Sequence, residues 1–124
     1  IEAAINDEDI LIHGDGSQSR SFTWVDDVVT YLIKLAELKA YGEIFNIGQT
    51  EEITIKNLAE LIIEKSNSNS KIIYKSHEEV FGKSFEDPNR RTPGIEKIVE
   101  FTGIKPSKNI EFMVENIINY KQNN

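Results

Sequence analysis

Four residues, Ile10-Leu11-Ile12-His13, run directly into Gly14-Asp15-Gly16-Ser17-Gln18-Ser19-Arg20-Ser21-Phe22, and the rest of this 124-residue chain must be arranged around that junction. The apolar run reads as a short buried strand. Gly14 and Gly16 permit a sharp turn, because a residue without Cβ takes positive φ without a steric clash. Arg20 is the first Lys or Arg of the chain, and the next is Lys34. Phe22 and Trp24 alternate with Ser21 and Thr23, as in an extended segment with one buried face. Val25-Asp26-Asp27-Val28-Val29 then opens a helix. A loop of this build holds one arginine at a cleft edge, its base fixed by packed aromatics, although most arginines after a Gly-x-Gly turn are simply solvated. The spacing is not a dinucleotide fingerprint: the third small position is Ser19, and no helix begins there. No Gly-Lys-Ser/Thr follows, which excludes a Walker loop.

Over fifteen positions, Gly14-Asp15-Gly16-Ser17-Gln18-Ser19-Arg20-Ser21-Phe22-x-x-Val25-Asp26-Asp27-Val28 resembles a segment of the extended short-chain dehydrogenase/reductases that act on nucleotide sugars. These are the NAD-dependent epimerases, 4,6-dehydratases and UDP-glucuronate decarboxylases, and the segment opens their substrate half. The resemblance implies that Arg20 contacts the diphosphate of a sugar nucleotide, with Gln18 beside it.

Composition bounds the alternatives. A formal net charge of −7 argues against broad nucleic-acid binding, which needs a basic face to release counterions. A small anion is still within reach, since a local arginine cluster overcomes a distant net charge. There is no cysteine, hence no disulfide framework and no Cys-based metal site. His13 and His77 have no partners at ligand spacing, so no metal is expected. No apolar run is long enough to span a bilayer, and no signal peptide is visible. These features give an expected cytoplasmic setting without a membrane partner.

The rest of the chain alternates helical stripes with β-rich runs, an α/β pattern. Val25, Val28, Val29, Leu32, Ile33, Leu35, Ala36 and Leu38 predict a helix over 25–40, closed at Tyr41-Gly42. Asp26 and Asp27 in its first turn read as capping acids rather than a catalytic pair. Glu43 to Ile47 is expected as a strand. Thr54 is expected to cap a helix over 54–66, and residues 71–75 form another strand. Further helices are expected over 94–102, closed by Gly103, and over 109–121, starting at Asn109 or Ser107. Gly42-Glu43-Ile44-Phe45-Asn46-Ile47-Gly48 followed by Thr54-Ile55-x-x-Leu58-Ala59-Glu60-x-Ile62 again resembles the extended reductases. There the strand docks beside the nucleotide-binding sheet, which implies that Gln49 and Thr50 lie near the ligand.

From Ser76 to Pro93 the periodicity fades, and Lys83, Arg90 and Arg91 gather there. By residue type alone, Arg90-Arg91 is either a solvated patch or an anion clamp of guanidinium forks. The stretch Phe85-Glu86-Asp87-Pro88-Asn89-Arg90-Arg91-Thr92-Pro93-Gly94-Ile95-Glu96-Lys97-Ile98 resembles the family's second substrate motif. The resemblance implies that Asp87 contacts the ribose and Arg91 the diphosphate, with Arg90 as the alternative phosphate contact. Gly94 stands where the motif has an aspartate cap, which weakens a helix start more than a site.

The resemblance therefore implies the C-terminal portion of an extended Rossmann-type reductase: one domain over 1–124, a small mixed sheet with four main helices, and no Rossmann half. The Gly-rich cofactor loop and the Tyr-x-x-x-Lys pair of that half are not in this sequence. No catalytic, cofactor-binding or metal residue is assigned here, and the chain alone is not expected to bind NAD. Its partners would be a nucleoside-diphosphate sugar and the nucleotide-binding half of a homodimeric parent, in which NAD oxidises the sugar transiently. Two rivals belong to other classes: a non-catalytic relative that kept the fold, and a helical protein-interaction module.

Overall fold

The computed structural model describes residues 1–76, 78–79 and 88–123. In chain order the elements are α1 (Glu2–Ile5), β1 (Ile10–His13), β2 (Ser19–Ser21), α2 (Val25–Glu37), β3 (Glu52–Thr54), α3 (Ile55–Ser66), β4 (Ile72–Lys75), β5 (Arg90–Arg91), α4 (Glu96–Thr102) and α5 (Ile110–Gln122).

Among the described residues the strands form two small sheets. β1 and β4 pair in parallel, Ile10 opposite Ile72 and His13 opposite Lys75. β2 is the centre of the other sheet, with β3 antiparallel on one side and β5 parallel on the other. Gly14 (φ 81°) and Gly16 (φ 75°) make the turn that carries the chain from one sheet to the other. A side chain at Gly16 would meet Lys56 in the first turn of α3, where Lys56 N–H donates to the Gly16 carbonyl at 3.0 Å. The glycine is thus needed twice, for its φ and for close approach.

Among the described residues two apolar clusters form. Ala4, Ile62, Val114 and Ile118 join α1, α3 and α5, with Ile1, Ile10, Leu58, Leu61 and Ile110 around them. Tyr31, Ile95 and Ile98 join α2 to α4, with Leu35, Phe45, Ile47, Val99 and Ile104 around them. Part-buried polar contacts tie α2 to the chain between α4 and α5. Tyr31 Oη donates to the Ile104 carbonyl at 3.0 Å, and burial, then the Asp27 carboxylate, push its phenol above the ordinary value. Asp27 accepts the Ser107 N–H at 3.0 Å and the Ser107 hydroxyl at 2.7 Å. Trp24 meets Phe112 edge-on, ring centroids 5.4 Å apart.

Three local expectations need correction. Residues 43–50 are not assigned to any strand; Phe45 and Ile47 still pack inward, while Ile44 is 85% exposed. Extended chain becomes a strand only with a neighbour to share its N–H and C=O groups, and none lies beside it among the described residues. Helix α2 ends at Glu37 rather than near 40. Lys39 takes the left-handed conformation (φ 53°), so Lys39 N–H reaches the Ala36 carbonyl and Ala40 N–H the Leu35 carbonyl. Asp26 and Asp27 do not cap their own helix, whose N-cap Trp24 makes no side-chain capping bond; Asp26 accepts the Trp24 indole N–H at 2.9 Å instead. The caps at Thr54 and Asn109 are present as expected, accepting from Asn57 and Phe112 N–H at 3.1 and 2.9 Å.

Candidate functional site

The three-stranded sheet brings together residues about seventy positions apart. In the β2–β5 ladder Ser19 stands opposite Arg90 and Arg20 opposite Arg91. Residues directly opposite on neighbouring strands project from the same face, and successive residues alternate. Arg20 and Arg91 therefore share one face. Ser19 and Arg90 share the other, together with Glu52, which lies opposite Ser21 on β3.

On the Arg20 face, the guanidinium is braced by backbone: Nη1 donates to the Ser19 carbonyl at 2.7 Å and to the Pro88 carbonyl at 2.9 Å. Arg20 thus touches the chain immediately before β5, and its base is half-buried. Arg91 beside it is exposed. The two strands lie about 5 Å apart, so Arg20 and Arg91 set two cations on one face.

On the opposite face the charges are matched. Glu52 Oε1 accepts from Arg90 Nε at 2.7 Å and also from Nη2, and Oε2 accepts the Ser19 hydroxyl at 2.7 Å. Hydrogen bonding from Arg90, then from Ser19, lowers the Glu52 carboxyl from 4.5 to about 2. Arg90 is raised in turn by the same partner. Arg90, Thr50, Thr92, Pro93, Gly94 and Glu96 line an open cleft of about 510 Å³ on this side.

The other described residues singled out from the sequence each make contacts within the chain. Gln18 Nε2 donates to the His13 carbonyl at 2.9 Å and so closes the turn after β1. Gln49 Nε2 donates to the Lys108 carbonyl at 3.3 Å, and its Oε1 accepts the Thr50 N–H at 2.8 Å. Thr50 joins Arg90 in the cleft rather than the Arg20–Arg91 face. Asp87 and His77 lie outside the described residues. Sequence reading passed over Glu52, whose partner Arg90 is 38 positions away with no periodicity linking the two. It also passed over the contact between Gly48 and Pro93, where an added Cβ would sit 2.4 Å from Pro93 Cγ.

Among the described residues no group of three or more His, Asp or Glu is disposed to hold a metal, and no helix is long and apolar enough to cross a membrane. The Gly14–Gly16 turn leads into strand β2, not into a helix N-terminus. It therefore lacks the ring of backbone amides that holds a dinucleotide pyrophosphate, and these residues do not fit NAD.

Residues 1–48 match the NAD dependent epimerase/dehydratase family. The chain is 37% identical over 107 residues to the UDP-N-acetyl-alpha-D-glucosaminuronate decarboxylase of Bacillus cytotoxicus, covering 86% of this chain and 33% of that protein. It is 35% identical over 106 residues to UDP-glucuronic acid decarboxylase 4 of Arabidopsis thaliana, covering 86% of this chain and 22% of that protein. Its fold is similar to that of the UDP-glucuronic acid 4-epimerase of Bacillus cereus, solved in complex with UDP-glucuronic acid and NAD: TM-score 0.85 at 23% identity, covering 99% of this chain and 38% of the other. The chain thus spans a third or less of the length of these two decarboxylases.

Proposed function

We propose, from this chain's kinship with the NAD-dependent epimerase/dehydratase family, that it is the part of a longer enzyme that grips the nucleoside diphosphate of a sugar nucleotide. Arg20 and Arg91 hold the diphosphate oxygens, and a UDP-sugar is the substrate class, as the names of its relatives suggest. The observation that carries this reading is the β2–β5 register, which sets the two arginines side by side on one face although about seventy residues separate them. Gripping the nucleotide end fixes the sugar relative to the reacting centre, which converts binding energy into orientation. The ribose role of Asp87 rests on the family motif alone. NAD belongs, in this reading, to the rest of the parent, where it would accept and return a hydride at the sugar.

A second surface supports a longer parent. The outer face of α2 exposes Val25 (61%), Val29 (45%), Leu32 (54%) and Ile33 (57%), a continuous apolar stripe of a size that marks a docking surface. The nucleotide-binding half would cover it, and the extended segment 43–47 would find its missing strand neighbour there. Without such a half the same stripe would suit a protein-interaction module.

The test is UDP affinity of the intact protein by calorimetry. Charge-assisted contacts to phosphate contribute roughly 1.5–3 kcal/mol each. Arg20→Ala and Arg91→Ala are each expected to weaken UDP about tenfold or more, and Arg20→Lys to recover only part, because an ammonium lacks the fork. The surface control Lys105→Ala is expected to bind as the wild type does. Arginine variants that match the control would return both side chains to ordinary solvated surface.

A further inference from the structure

We propose that Glu52 is a positioning residue: it clamps Arg90 and thereby fixes the register that leaves Arg91 opposite Arg20, an inference that rests on the anion-gripping role given above. Strand β5 is two residues long, so few backbone hydrogen bonds define its alignment. Among them, Ser19 N–H donates to the Asn89 carbonyl at 2.8 Å. A slip by one residue would cost little backbone pairing, yet it would send every side chain of β5 to the other face. The ambiguity is acute here because both residues of β5 are arginines. Slipped one way, Arg91 would meet Glu52 and Thr92 would stand opposite Arg20, leaving a single cation on that face.

The carboxylate of Glu52 resolves the ambiguity because it spans all three strands. It sits on β3, takes two N–H groups of Arg90 on β5 with one oxygen, and takes the hydroxyl of Ser19 on β2 with the other. Its side chain is more enclosed than that of Arg90, at 23% against 73% exposure, so the acid is the anchored partner and the arginine is drawn to it. Beyond β5 the chain is held again where Pro93 packs on Gly48, and Asn46 Nδ2 donates to the Gly94 carbonyl at 3.1 Å. The clamp also divides the charge. Arg90 is matched by Glu52 on one face, and Arg20 and Arg91 stand together on the other, a doubly positive seat suited to a diphosphate. The depressed Glu52 carboxyl keeps the clamp ionised throughout the neutral range.

The experiment measures UDP binding by calorimetry and uridine binding by NMR titration, in the intact protein, for wild type, Glu52→Gln, Arg91→Ala and the double variant. Glu52→Gln is expected to weaken UDP about fivefold and to leave uridine unchanged, because only the phosphate contact is displaced. Glu52→Asp should recover part of the loss. In the Arg91→Ala background Glu52→Gln should add nothing, since its effect runs through Arg91. Equal losses for UDP and uridine, additive losses in the double variant, or wild-type affinity in Glu52→Gln would each overturn the positioning role. Should Glu52→Gln not fold, Ser19→Ala removes one arm of the clamp. It is expected to weaken UDP about twofold, and only when Arg91 is present; no loss overturns the proposal. If Arg20→Ala and Arg91→Ala themselves leave UDP affinity intact, the anion-gripping role fails and the positioning role with it. If those two weaken UDP and Glu52→Gln does not, the positioning role alone fails.

Discussion

Asp27 holds a loop that lies eighty residues along the chain, and it does so from a buried position at the start of α2. Both of its oxygens are occupied by Ser107, so Asp27→Ala would remove two hydrogen bonds to a carboxylate. Such a loss costs about 1–3 kcal/mol, and urea unfolding should show it, whereas Asp26→Ala at the exposed indole contact should cost well under half as much. Glu52 adds a pH signature. Its pKa is depressed from 4.5 to about 2, so the unfolded chain binds the proton more readily than the folded one. The stability it contributes is complete above the ordinary carboxylate value and is lost as pH falls from there through about 2. Thermal melts over that acid range should therefore show a shallower decline for Glu52→Gln than for wild type; superimposable acid limbs would contradict the clamp. Neither acid was legible as a partner in the sequence. Adjacent carboxylates at a helix start look like caps, and nothing local marks a carboxylate whose contacts are made only after distant segments meet.

At the scale of elements, periodicity located the four main helices and the two paired strands β1 and β4, because their apolar stripes and capping residues are local. Thr54 and Asn109 cap as their positions suggest. What periodicity missed is set by tertiary partners. Residues 43–47 have strand composition but no ladder among the described residues, and β2, β3 and β5 are too short to carry a period. The two motifs brought Arg20 and Arg91 forward together by resemblance, and the sheet register shows how strands too short to carry a period set them on one face. The end of α2 was missed because Lys39, not the nearby Gly42, takes the left-handed position directly after the helix. A lysine pays a steric penalty there that glycine avoids. Lys39→Gly is expected to raise stability by about 0.5–1 kcal/mol, read as a higher melting temperature; a lower one would mean that the Lys39 side chain makes a stabilising contact.

Among the described residues the molecule has two apolar clusters, and the outer face of α2 is exposed. Its chain spans a third or less of the decarboxylases it resembles. Ile33→Glu should change the stability of this chain alone by no more than about 0.5 kcal/mol, as for other exposed positions. In the intact protein the same change should cost several times more, because it would place a charge in a buried interface. Equal effects in the two settings would favour a free α2 face. Whether Arg20 and Arg91 act as one seat for a diphosphate is read from a crystal structure of the intact protein with UDP. The expected result is both guanidiniums within hydrogen-bond distance, about 3 Å, of oxygens of the same diphosphate. A diphosphate held elsewhere, with both arginines turned to solvent, would rule out the shared seat.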